Sequence, residues 1–186
     1  MDRFRRIENA IIVLEVRETM KSIDRKDACT FTGHRPEKLK FSEIGTREWL
    51  EFEIRTAIID GYTTFITGMQ RGVDIWAAEI VLRLRSEGEQ IRLIAACAFR
   101  GMEERWDTEW QERYRSILLS ANGVYYIGDR PGTASFLKRD RWMVDHASRL
   151  IAVYCGVPGG TRETIEYAKA EGIEVVVTEK GSSTCQ

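Results

Sequence analysis

Proline is nearly absent from this sequence. The chain holds three, at positions 36, 131 and 158, and each falls between apolar runs rather than inside one. No low-complexity tract or interior linker divides the chain, so its 186 residues are read as essentially one domain, long enough to bury a core without a disulfide or a metal. There is no Cys-x-x-Cys pair: Cys29, Cys97, Cys155 and Cys185 are widely spaced, which speaks against a zinc site. An excess of one charge is also lacking. Lys and Arg number 28 against 29 Asp and Glu, a net charge of −1, and a protein that holds nucleic acid by bulk charge usually shows a basic surplus. No apolar run is long enough to cross a bilayer, and charged residues interrupt every such run near the N-terminus, as they would not in a secretory leader. The expectation is a soluble protein of the reducing cytoplasm, with no cofactor and no metal.

What is present is a rhythm. Residues 3 to 23 carry Phe4, Ile7, Ile11 and Leu14 at helical spacing, and predict an N-terminal helical extension over 1–26. From there short apolar runs, "CTFTG", "TTFITG", "IRLIAAC", "GVYYIG", "LIAVYCG" and "IEVVVT", alternate with helical patterns near 43–60, 73–87, 103–121, 135–147 and 161–171. Strand and helix alternating in this way mean right-handed crossovers and an α/β, Rossmann-like doubly wound fold. Its mostly parallel sheet has helices on both faces and fills 27–180, with a frayed tail over 181–186. Nearly continuous apolar runs are what strands buried on both faces look like.

In such a sheet the ligand crevice lies beyond the carboxyl ends of the strands. The residues after the runs are Gly33-His34-Arg35, Gly68 to Asp74, Ala98-Phe99-Arg100, Gly128-Asp129-Arg130 and Gly156 to Thr161, an edge rich in glycine and arginine that suits an anion. "GMQRGVD" fits neither a dinucleotide fingerprint nor a P-loop, and two readings stay open for it. Gly68 and Gly72 admit a ligand to the backbone, or they form a tight turn with Asp74 set against the helix dipole. "GVPGGTRET" is the stronger anion signal: Gly159 and Gly160 lead into a helix at Thr161, whose hydroxyl caps that helix or meets a phosphate.

Asp145 ends a helix, where a carboxylate opposes the dipole and calls for a compensating partner; Arg139, six positions earlier, borders the same pocket without sharing its face. Trp106, Trp110 and Tyr114 form a ridge at i, i+4 and i+8, which reads as core or interface before it reads as a base-stacking platform. Cys29, Cys97 and Cys155 fall in or just after strands and read as inert packing thiols.

Taken together, "FTGHRPEKL", "TGMQRGVDIWAAE" and "KRDRWMVDHASRLIAVYCGVPGGTRETIEYA" resemble the YpsA-like family of the SLOG superfamily, Rossmann-like proteins related to DprA and to the LOG phosphoribohydrolases. The resemblance runs in order from about Cys29 to Val177. It implies a nucleotide-derived ligand, of the ADP-ribose or NAD kind, held by the Gly-rich loops, with Gly72 and Asp74 as the family's essential Gly-x-acid pair. The family's Arg-Asn before "MVD" stands here as Arg139-Asp140. The hydrolase relatives place a catalytic glutamate after their Gly-Thr, where this chain has Thr164, flanked by Glu163 and Glu166.

The expected ligand set is therefore Gly33, His34, Arg35, Gly68, Gly72, Asp74, Arg139, Asp145, Gly159, Gly160 and Thr161. Arg35 binds the anion, and Pro36 fixes the exit of its loop. The leading reading is a sensor of a nucleotide-derived small molecule acting through a protein partner. The second is an N-glycoside or phosphoribosyl hydrolase using Glu163 or Glu166. The third is single-stranded DNA binding on a patch of Arg35, Arg71, Arg100 and Arg130, against which the balanced charge counts. A homo-oligomer is left open, and no membrane partner is expected.

Overall fold

The computed structural model describes residues 23–40 and 42–178. The expected tail lies outside these residues, and so does the expected N-terminal helical extension except residues 23–26, where Arg25–Asp27 form a 3-10 turn capped by Asp24. Six strands form one sheet: β1 (Ala28–Gly33), β2 (Thr64–Thr67), β3 (Arg92–Cys97), β4 (Gly123–Tyr126), β5 (Arg149–Val153) and β6 (Glu174–Val177). Every neighbouring pair is parallel, and the order across the sheet is β4-β3-β2-β1-β5-β6. The helices are α1 (Glu43–Ile59), α2 (Val73–Ser86), α3 (Thr108–Ser120), α4 (Thr133–Asp145) and α5 (Gly160–Ala170). The Rossmann-like reading of the sequence therefore holds.

Alternate residues of each strand feed two cores. Phe31, Phe65, Leu93, Ile151 and Val153 point to one face and pack with Leu50 and Ile54 of α1, Trp76 and Val81 of α2, and Tyr114 and Ile117 of α3. On the other face, Ile66, Ile94 and Ala96 meet Met143 of α4, while Leu150 and Ala152 meet Ile165 and Ala168 of α5. The aromatic ridge is part of the first core. Tyr114 is buried, Trp106 stands edge-on to it at 5.5 Å, and Trp110 lies 6.2 Å from Trp76. The thiols of Cys29 and Cys97 are buried, and burial pushes Cys97 up to about 11, away from reactivity.

One helix starts later than its periodicity suggested. Residues 103–106 form turns, because Gly101 takes φ 77 and Asp107 restarts the chain as an N-cap, accepting the Trp110 N–H at 3.1 Å. Ser42 caps α1 in the same way. By contrast α2, α4 and α5 begin at glycines with no side-chain cap.

The end of β1 is pressed against the start of α2. A Cβ on Gly33 would stand 2.5 Å from Cβ of Val73, inside any allowed contact. Gly33→Ala is therefore expected to destabilise the fold by about 1–3 kcal/mol through overpacking. Urea denaturation of G33A, V73A and the double variant tests the cause. The crowding predicts that the double variant is more stable than the two single costs added together, whereas strict additivity would place the strain elsewhere.

Candidate functional site

Chain order and sheet order part company at β1. From there the chain steps outward through β2, β3 and β4, then returns to lay β5 along the other side of β1. At such a switch point the loops after the two strands diverge and leave a crevice beyond their carboxyl ends. The crevice here has a volume of about 220 Å³. Its walls are the loop after β1, Gln70 from the β2–α2 connection, Asp74 from the first turn of α2, one side of α4, and the loop and first turn of α5.

After Gly33 the backbone stays extended at Arg35, and Pro36 opens a single 3-10 turn, Pro36–Lys38. Proline suits that first position, where its missing N–H is not needed and its φ is already set. The turn lays Arg35 and Lys38 along the rim, both exposed and without an ion-pair partner among the described residues. His34 is different: it is 5% exposed, its Nδ1 lies 3.4 Å from Thr161 Oγ1, and its ring lies 5.6 Å from that of Tyr154. Its Nε2 has no hydrogen-bond partner. Burial first, and then the charge of Lys38, hold the imidazole below its ordinary pKa, so it is neutral at pH 7. An unmatched buried nitrogen in the wall of a crevice costs stability until something binds it.

Opposite lies the start of α5. Its cap is Gly159, not Thr161, and the N–H groups of Arg162 and Glu163 both turn to the Gly159 carbonyl, at 2.9 and 3.2 Å. A methyl on Gly159 would meet nothing within 4 Å, and one on Gly160 would meet only Asp140 Oδ2 at 4.0 Å. Open backbone at the positive end of a helix is an anion seat. Thr161 is buried beside His34.

The floor is a buried charge cluster. Asp74, in the first turn of α2, accepts the Gln70 N–H at 3.2 Å and lies 3.5 Å from Arg139 Nη1. Arg139 donates from Nη1 to the Gly68 carbonyl, and its Nε lies 2.8 Å from Asp140 Oδ1, in ion-pair rather than hydrogen-bonding geometry. Thr67 Oγ1 donates to the Asp74 carbonyl at 2.8 Å and accepts the Met69 N–H, while Met69 takes φ 59 to complete the turn. Burial raises Asp74 to about 6 even against the charge of Arg139, and it raises Asp140 in the same direction.

Of the residues expected from sequence, the fold brings Gly33, His34, Arg35, Asp74, Arg139, Gly159, Gly160 and Thr161 to the crevice. Gly68 and Gly72 are buried beneath it. A side chain on Gly68 would run into Arg139, with Cζ at 2.7 Å; Gly72, at φ 90, lies against Pro36 and the His34 carbonyl. Neither glycine presents its backbone to a ligand in this arrangement; both serve packing. Asp145 stands apart from these residues. It is exposed outside the crevice and takes its compensation from the Tyr167 hydroxyl, which donates to it at 2.9 Å. Glu163 borders a separate hollow with Arg141 and Tyr167, and Glu166 pairs outward with Lys169 at 3.8 Å, so neither reaches the crevice. Lys38, Gln70, Phe136 and Asp140 line the crevice and were not in the expected set. Gln70 had a sequence signal in the glycine-bounded loop after β2, Asp140 in the resemblance that pairs it with Arg139, and Lys38 as the basic end of a turn opened by proline; Phe136 had none.

Residues 29–172 match the YpsA family model, described as the YspA SLOG family. The chain is similar to a UPF0398 protein of Bacillus pumilus, 30% identical over 131 residues that cover 66% of this chain and 70% of the relative. It is also similar to the SPbeta prophage-derived protein YoqJ of Bacillus subtilis, 31% identical over 117 residues, covering 56% and 68%. Among solved structures it is similar to DNA processing protein A (DprA) of Streptococcus pneumoniae, with a TM-score of 0.62 at 19% identity, covering 84% of this chain and 51% of that one. DprA of Helicobacter pylori, whose structure concerns its single-stranded DNA binding mode, gives 0.62 at 16% identity, covering 89% and 71%. At these identities the likeness is one of fold.

The raised Asp74 makes a signed prediction. An unfolded aspartate titrates near 3.9, so native Asp74, at about 6, binds its proton more tightly than the unfolded chain does. Its favourable contribution is complete below about pH 4 and is lost as the pH rises through 6. The resulting penalty at neutral pH is about 3 kcal/mol. Asp74→Asn keeps an acceptor for the Gln70 N–H and removes the ionisation. Urea denaturation should find it equal to the parent near pH 4 and more stable by up to about 3 kcal/mol at pH 7. A variant that loses ground as the pH rises would show that the Arg139 pair outweighs burial.

Proposed function

The chain belongs to the YpsA SLOG family, and from that premise we propose that its crevice binds a nucleotide or nucleotide-derived small molecule by a phosphate and reports the bound state to a protein partner. The observation that carries this reading is the uncapped, unobstructed start of α5 at the switch point, faced by His34 and rimmed by Arg35 and Lys38. A phosphate seated on the Gly159–Thr161 backbone lies within an arc of donors and positive charge. Behind it, Gln70 and Asp140 offer polar partners to a sugar. Phe136, half-buried and set edge-on to Phe99 at 5.5 Å, offers an apolar wall to a base.

Binding rather than turnover is what the carboxylates favour. Glu163 and Glu166 stand outside the crevice, and both carboxylates that line it, Asp74 and Asp140, are engaged by Arg139. A general base needs a carboxylate free to reach water and substrate. The basic patch needed for single-stranded DNA is also diminished: Arg71 pairs with Glu37 at 3.1 Å, and Arg100 lies over the Tyr126 ring at 4.1 Å.

Gly160→Ala separates the site from the fold. Its methyl has room in the ligand-free protein and helix propensity favours it, so the melting point should hold or rise slightly. The same methyl stands where the phosphate must approach. At about a hundred times its dissociation constant a ligand adds about 2.7 kcal/mol, a rise of roughly 5–11 °C for a domain of this size. Among AMP, ADP-ribose and NAD, at least one should produce that rise in the parent, with the rise lost in Gly160→Ala and reduced in Arg35→Ala. A full rise in both variants would put the ligand elsewhere. Released base detected by chromatography would favour hydrolysis, and tight, salt-sensitive binding of single-stranded DNA would favour the third reading.

A further inference from the structure

Helix α1 carries along its outer side a stripe unlike the rest of the surface. Ile44, Glu48, Phe52, Arg55 and Ile59 recur at steps of four, four, three and four residues and are all exposed, whereas Leu50, Ile54 and Ala57 on the inner side are buried. At 3.6 residues per turn the five fall within an arc of about 80° and a length of about 22 Å. Ile44 is 74% exposed, Phe52 65% and Ile59 84%; the one other large apolar side chain so exposed among the described residues is Leu119 on α3. Aligned, solvent-facing apolar side chains are costly to leave bare and mark an interaction face.

The order of the residues identifies the partner. We propose that this stripe is the interface between two copies of the chain, paired antiparallel through α1 about a two-fold axis between Glu51 and Phe52. In that register Ile44 of each copy meets Ile59 of the other, the two Phe52 rings pack beside the axis, and Glu48 of each copy meets Arg55 of the other. A parallel pairing would set Glu48 against Glu48 and Arg55 against Arg55. The antiparallel one makes the stripe self-complementary, as a closed two-fold interface requires. Glu48 has no ion-pair partner among the described residues, while Arg55 sits between Glu51 at 2.9 Å and Glu87 at 3.5 Å, still half exposed. The four-three spacing suits the shallow helix crossing of about 20° that keeps such a seam in register. A contact of one helix per copy lies at the small end of stable interfaces, so the dimer is a micromolar one.

Sedimentation velocity across a concentration series tests this on the full chain. The parent should pass from monomer to dimer, and Phe52→Asp should hold it monomeric with an unchanged circular dichroism spectrum. E48R sets arginine against arginine at both ends of the seam, and R55E sets glutamate against glutamate. Each alone should weaken association roughly tenfold. Mixing the two variants should restore it, because every arginine then meets a glutamate across the axis. That recovery also guards against loss of folding in either variant. A parent that stays monomeric throughout, a dimer unmoved by Phe52→Asp, or a mixture no tighter than its components would each overturn the proposal.

Discussion

Arg139 brings a single buried cation to a point that two carboxylates and a carbonyl share, and the geometry of the crevice follows from that arrangement. Through Gly68 it holds the end of β2, through Asp74 the start of α2, and through Asp140 its own helix on the side that faces α5. Without its charge, Asp74 and Asp140 would be two carboxylates buried near each other with nothing to balance them, an arrangement that costs several kcal/mol. With it, the cluster is compact and still unfavourable enough to raise both acids. Such a cluster is weak evidence for stability and better evidence for position. Its directional contacts fix where the β2–α2 connection sits against α4, and so fix the floor on which any ligand rests.

Glycines at this edge divide by what surrounds them. Gly33 and Gly68 are small because Val73 and Arg139 occupy the space a side chain would take, and Gly72 turns the chain where Pro36 presses on it. Gly159 and Gly160 face open space. All five belong to motifs that look alike in sequence, a glycine after an apolar run and before a helix. The distinction between a glycine that admits a neighbouring side chain and one that admits a ligand lies in tertiary packing, which a single sequence does not carry.

The strands were legible because a parallel sheet covered on both faces demands apolar residues at nearly every position, and the six runs show little else. His34, Arg35, Gly159 and Gly160 were legible for a related reason: the switch-point rule sends the reader to the residues just after the strands. Residues carried on helices were harder. Asp145 was placed near the crevice as a carboxylate at a helix end, and Glu163 and Glu166 as neighbours of the position where the hydrolase relatives carry a glutamate. Whether they face it depends on helical phase and on the angle at which α4 and α5 cross the sheet, and both turn the three acids outward. Asp140 shows the converse. It follows Arg139 by one residue, a turn of about 100° on a helix, yet the guanidinium reaches back to it. The start of α3 was misplaced because apolar periodicity continued through Trp106, although Asp107 resets the helix.

Charge shows most plainly how a total hides its distribution. The near-balance of 28 basic and 29 acidic residues counted against holding nucleic acid by bulk charge, and left open where single charges stand. Over the face covered by α1, α2 and α3 that balance is local. Arg47 and Arg113 close on Glu79 at 2.7 Å each, and Arg83 bridges Glu51 and Glu87 at 2.6 and 2.5 Å. At the far end of the sheet, Arg149 is shared by Asp60 and Glu174. These pairs neutralise most of the field where it would attract nothing useful, and exposed pairs of this kind add little stability. At the crevice rim the pairing stops: among the described residues Arg35 and Lys38 have no ion-pair partner, Glu37 between them being taken by Arg71, and the positive end of α5 faces them across the opening. Two cations without ion-pair partners beside an open helix start favour an anion locally, whatever the total charge of the chain. A chain of net charge −1 can in this way hold a phosphate without attracting polyanions over its whole surface.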